Sequence, residues 1–144
     1  MKILIIHHVG PMWERSFDRE KLTTEIINHI ESNYYDKVIA TTLEGGDTYL
    51  ELMPYVNVIK GWSYGWEIDE KLSDLEYAEQ YGIDRNDITE STGHPYAYLY
   101  QWIKDLKGHE ITLMGGSLYE CLYDLETTLE HLDIPYNTVY ECTY

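Results

Sequence analysis

The sequence predicts an α/β fold: one domain over residues 1–144, built on a mostly parallel sheet of five or six strands with helices on both faces. Three observations predict it. Short apolar runs, several rich in β-branched residues, recur at residues 2–9, 36–42, 55–60, 111–114 and 137–140. Between most of these runs the apolar residues change to a spacing of three and four, the period of a helix. A chain of 144 residues with 44% hydrophobic and 14% aromatic content can bury one core and is not disordered. Strands alternating with helices argue for βαβ units, whose right-handed crossovers place the first strand centrally, beside the second and the fourth.

Residues 2–9 read as a buried strand, Ile3-Leu4-Ile5-Ile6, that ends at His7-His8-Val9-Gly10-Pro11. A helix is expected over 16–33, with Leu22, Ile26, Ile27 and Ile30 on its buried stripe. Val38-Ile39-Ala40 centres the second strand, and Glu44-Gly45-Gly46-Asp47 is a loop. A helical turn over 49–53 precedes Pro54, and Val56, Val58 and Ile59 mark the third strand. Residues 61–93 read as an irregular insertion, although Ile68, Leu72, Leu75 and Ala78 have helical spacing. Pro95 suits a first helical turn. Tyr96, Leu99, Ile103 and Leu106 continue that helix to Lys107-Gly108. The strand at 111–114 breaks at Gly115-Gly116-Ser117. Leu118, Cys121, Leu122, Leu125, Leu129 and Leu132 then form one helical face, which Pro135 ends before the last strand.

The formal net charge of −16 repels phosphate backbones and anionic bilayers, so neither a nucleic-acid nor a membrane partner is expected. No run is long and apolar enough for a membrane span or signal peptide. Two cysteines make no disulfide framework, and a reducing cytoplasm is the expected location. Fifteen tyrosines are compatible with a homo-oligomer, and the acidity with a basic protein partner.

Ligands of parallel sheets bind beyond the carboxyl ends of the strands. Those ends carry His7, His8, Thr41, Thr42, Lys60 and the turn from Gly115 to Cys121. A thiol in the first turn of a helix faces the positive end of the helix dipole and can act as a nucleophile, but Cys121 is also in phase with core leucines. An imidazole at the first strand's end can serve as general base. Adjacent strand residues point to opposite faces, so only one of His7 and His8 faces a given pocket. Lys60 can stabilise negative charge, and His94 precedes a helix start. No metal-ligand spacing, dinucleotide fingerprint or phosphate loop is present, so no metal or other cofactor is implied.

The run Ile111-Thr112-Leu113-Met114-Gly115-Gly116-Ser117-Leu118-Tyr119-Glu120-Cys121-Leu122 resembles the isochorismatase-like cysteine hydrolases, which include the nicotinamidases. It is similar in its strand, glycine, turn, and cysteine opening a helix. The likeness continues through Leu129-Glu130-His131-Leu132-Asp133-Ile134-Pro135-Tyr136. In that family an Asp, a Lys and a Cys form a triad. The resemblance puts Cys121 on the nucleophile and Lys60 on the lysine, while the Asp position falls at His7 or His8. His8 is the choice, because Val9 follows it as an apolar residue follows the family's Asp. The nicotinamidases' Asp-x-His metal motif has no counterpart in Thr41-Thr42-Leu43-Glu44. The implied function is a divergent hydrolase of a small amide-like or carbonyl substrate, acting through a thioester. Cys121, His8 and Lys60 are its catalytic residues, and His7, Gly116, Ser117 and His94 bind substrate. Backbone amides over 117–121 would hold the oxyanion. The alternative is a catalytically inactive acidic binding or inhibitor protein on the same scaffold.

Overall fold

The computed structural model describes residues 1–42, 47–61 and 101–144. In these residues five strands form one parallel sheet: β1 (Lys2–His7), β2 (Lys37–Thr42), β3 (Val58–Gly61), β4 (Glu110–Gly115) and β5 (Tyr136–Thr143). Their spatial order is β3-β2-β1-β4-β5, all pairs parallel. β1 is central because its residues from Ile3 onward are apolar or histidine, and all of them are buried. The chain moves outward from β1 through β2 to β3, then crosses back to β4. The switch point of the sheet therefore lies between the carboxyl ends of β1 and β4, where parallel sheets place their ligands.

Alternate residues of each strand face opposite layers. Ile3, Ile5, Ile39, Ile111 and Leu113 pack with Leu122, Leu125 and Leu129 of helix α3 (Cys121–His131) and with Ile103 of α2 (Gln101–Lys104). Leu4, Ile6, Val38 and Met114 pack on the other face with Leu22 and Ile26 of α1 (Arg19–Ser32). Helices thus cover both faces. No helix among the described residues is long and apolar enough to cross a membrane.

Several boundaries differ from those the sequence suggests, each for a local reason. Pro11 starts a separate 3-10 turn, Pro11–Ser16, and α1 begins only after Asp18, whose side chain accepts the Lys21 N–H at 3.1 Å. β3 begins at Val58 because a 3-10 turn occupies Met53–Tyr55 and the Asn57 side chain accepts the Val38 N–H at 2.7 Å. α3 begins at Cys121 rather than Leu118, since Tyr119 is left-handed (φ 69°) and cannot sit within a helix. β5 carries an irregularity that its apolar pattern does not show. β4 advances from Leu113 to Gly115 while β5 advances from Thr138 to Thr143, so β5 bulges between them. Residues 62–93 of the expected insertion lie outside the described residues, as do residues 43–46, His94 and the helix start at Pro95.

Two titrating groups, the half-buried His29 and the buried Cys142, make stability depend on pH on the acid and the alkaline side. Desolvation holds His29 below the ordinary histidine value, against the pull of Glu141. Its neutral form is the folded one, so its contribution is complete above about pH 6.5 and is lost as pH falls through the lowered value. Burial pushes the Cys142 thiol up to about 11, with Glu25 and Glu141 adding to the shift. Its contribution is complete below the ordinary thiol value of 9.0 and is lost as pH rises through about 11. Urea midpoints across pH are expected to form a plateau that falls at both ends. His29→Gln should flatten the acid side and Cys142→Ala the alkaline side.

Candidate functional site

The strand registers place one row of residues across the carboxyl end of the sheet: Lys60, Thr41, His7, Gly115 and Thr143. In-register residues of a parallel sheet share a face. His7 continues the series Ile3, Ile5, so its side chain belongs to the face that α2 and α3 cover. Cys121 is the first residue of α3, the helix that packs on that face. It is buried, at 7% exposure, yet belongs to neither hydrophobic cluster of the described residues, whereas Cys142 packs within the second. Neither cysteine is in a disulfide.

His7 is fully buried, and its Nδ1 lies 2.6 Å from Thr41 Oγ1, inside the sheet. His8 adopts a left-handed backbone (φ 55°), which brings its ring alongside His7. The His7 and His8 rings stack at 3.9 Å, and Trp13 stacks on the outer face of His8 at 4.5 Å, nearly parallel. The local sequence does not announce this three-ring column, because it depends on a positive φ at a histidine and on a tryptophan from the following turn.

Opposite the column, β4 ends in Gly115 (φ 100°), and the Gly116–Ser117 peptide is cis. The Gly116 N–H donates to the His7 carbonyl at 2.9 Å. Non-glycine residues in left-handed conformations cost about 1–3 kcal/mol each. His8 and Tyr119 both adopt them beside the switch point.

Tyr144 closes the assembly. Its N–H donates to the Gly115 carbonyl (3.1 Å), its carbonyl accepts the Leu118 N–H (2.6 Å), and its hydroxyl donates to the His8 carbonyl (2.5 Å). Its ring lies against Gly116, where an added Cβ would sit 2.6 Å from it, and against Phe17. A tyrosine that follows a largely polar strand gives no sequence signal of this role.

The structure therefore brings together His7, His8, Gly116 and Ser117, with Thr41, Trp13 and Tyr144 added. Of the amides expected to hold an oxyanion, those of Leu118 and Glu120 are engaged by the carbonyls of Tyr144 and Ser117. Lys60 stands on β3, two strands from His7 in the register row, a separation of roughly 10 Å. A direct contact with the His7 ring requires the lysine to reach across Thr41. His94 lies outside the described residues. A cavity of about 530 Å³ opens beyond the ends of β2 and β3, lined by Thr42, Thr48, Tyr49 and Ile59 among others; it includes neither histidine nor Cys121. Among the described residues no three His, Cys, Asp or Glu side chains converge on a common point that could hold a metal ion.

Thr41→Val keeps the shape of Thr41 and removes the partner of a buried ring nitrogen, which is expected to cost about 1–3 kcal/mol. Chemical denaturation compared with Thr41→Ser, which keeps the hydroxyl, measures that contribution.

No family model matches the chain, and neither curated proteins nor solved structures match it.

Proposed function

We propose that the protein is a cysteine hydrolase of a small amide-like or carbonyl substrate, working through a thioester at the β1/β4 switch point. The observation that supports this reading best is the position of Cys121. It is the first residue of α3, the helix that packs on the sheet face carrying His7. His7 is the base this arrangement favours over His8, because it shares the α3-covered face and a Thr41 hydroxyl that accepts its Nδ1–H would leave Nε2 to take the proton. His8 and Trp13 then hold the His7 ring in place from one side.

In this reading the Cys121 thiol gives its proton to His7, and Sγ attacks the substrate carbon while the carbonyl π pair moves to oxygen. Amides of Ser117 or Tyr119 donate to that oxygen. Collapse of the adduct expels an amine, which takes the proton from the imidazolium and leaves a thioester. Water, deprotonated by His7, attacks the thioester carbon. The C–S bond breaks, the acid departs, and the thiol is restored. Lys60 contributes only long-range charge. Two cysteines without a disulfide suit a cytoplasmic enzyme.

The test is trapping of the acyl enzyme. Brief incubation with p-nitrophenyl acetate, followed by acid quench and peptide mass spectrometry, is expected to show acetyl on the peptide carrying Cys121. Acetylation confined to lysines, with Cys121 unmodified, would refute the reading.

A further inference from the structure

α3 and β5 leave a groove along one edge of the molecule. Two adjoining cavities, of about 620 and 410 Å³, share Glu126, Glu130, Tyr136 and Tyr140; Tyr119 and Tyr123 border the second. The rings are unusually wet. Tyr119 is 90% exposed and Tyr140 64%, and Tyr123 is also exposed. Tyrosine faces held in water beside carboxylates form a surface without its counterpart.

Glu126 and Glu130 lie one helical turn apart on the same face of α3, where like charges repel. Among the described residues no cation pairs with either; the ion pair of that set, Arg19 with Glu51, is elsewhere. β5 fixes both carboxylates in place. The Tyr136 hydroxyl donates to Glu130 Oε1 at 2.6 Å, and the Thr138 hydroxyl donates to Glu126 Oε2 at 3.1 Å. Each carboxylate keeps a second oxygen as an acceptor. Burial and the two glutamates raise the Tyr136 phenol above its ordinary value, so it stays a donor.

We propose that this groove docks a basic polypeptide segment of a partner protein. Its arginine or lysine side chains would lie on the faces of Tyr119, Tyr123 and Tyr140 and bond to Glu126 and Glu130. The charge of −16 steers such a segment toward the protein, and the groove fixes where it lands. Recognition is through side chains, because the bulge in β5 interrupts the edge that an added strand would need. The groove borders the turn before Cys121 but does not include the thiol, and Cys121→Ala should leave docking unchanged.

The experiment uses fluorescence anisotropy with a labelled decapeptide of alternating arginine and serine. Binding is compared for the native protein, Glu126→Gln/Glu130→Gln, and Glu20→Gln/Glu110→Gln. Both pairs change net charge equally, and glutamine retains the oxygen that Tyr136 and Thr138 bond. The groove pair is expected to weaken binding at least about tenfold and the control pair less than about twofold, with Tyr140→Ala weakening it about threefold. Equal loss in both pairs would show that net charge alone attracts the peptide, and would overturn the proposal. So would spermidine competing as tightly as the peptide, since the groove would then select a small polyamine.

Discussion

Gly115→Ala is expected to lower the unfolding free energy by at least about 3 kcal/mol, the sum of two separate costs. At φ 100° the residue occupies backbone space that a side chain strains. An added Cβ would also stand 2.1 Å from the His7 carbonyl oxygen, which is backbone and cannot turn aside. β1 and β4 would have to part where the Gly116 N–H bonds that same oxygen. Gly108 separates the two costs. It has φ 87°, but a Cβ added there would meet nothing within 4 Å, so Gly108→Ala should cost only about 1 kcal/mol. Urea unfolding of the two variants measures the difference. Equal losses would mean that the close approach of β1 to β4 contributes nothing.

Cys121→Ala is expected to abolish acyl trapping, while Cys142→Ala leaves it intact. The two thiols differ in surroundings. Cys142 is buried among Leu4, Ile6, Leu22 and their neighbours, and burial pushes it up to about 11. At about pH 7 roughly one molecule in ten thousand then carries that thiolate. Cys121 instead opens α3, at the end of the turn that follows β4. Removing a nucleophile eliminates covalent turnover altogether, so acetyl on the Cys121 peptide should fall to background. Trapping that moves to Cys142, or persists without Cys121, would place the chemistry elsewhere.

The sheet is legible in the sequence because its signals are local and mutually consistent. Ile3-Leu4-Ile5-Ile6 and Ile111-Thr112-Leu113-Met114 are apolar on both faces, as central parallel strands must be. The observed order, with β1 between β2 and β4, is the one expected from the sequence. α1 starts three residues beyond the expected Ser16, because a proline-led 3-10 turn and a true helix share the same polar run before Leu22. The site is legible only in outline. Strand ends point to His7, His8 and the turn to Cys121, since that follows from topology. The stacking of His8 between His7 and Trp13, the His7–Thr41 contact and the threefold engagement of Tyr144 depend on long-range register and on a left-handed histidine. None of these leaves a mark in neighbouring residues.

The most direct measurement is the rate at which iodoacetamide alkylates Cys121 as a function of pH, read by peptide mass spectrometry so that Cys142 need not be removed. If Cys121 and His7 act as a pair, Cys121 reacts at least about tenfold faster than glutathione at about pH 7, and His7→Gln removes that advantage while Thr41→Val reduces it. A Cys121 that alkylates more slowly than glutathione, at a rate His7→Gln does not change, would contradict the pairing.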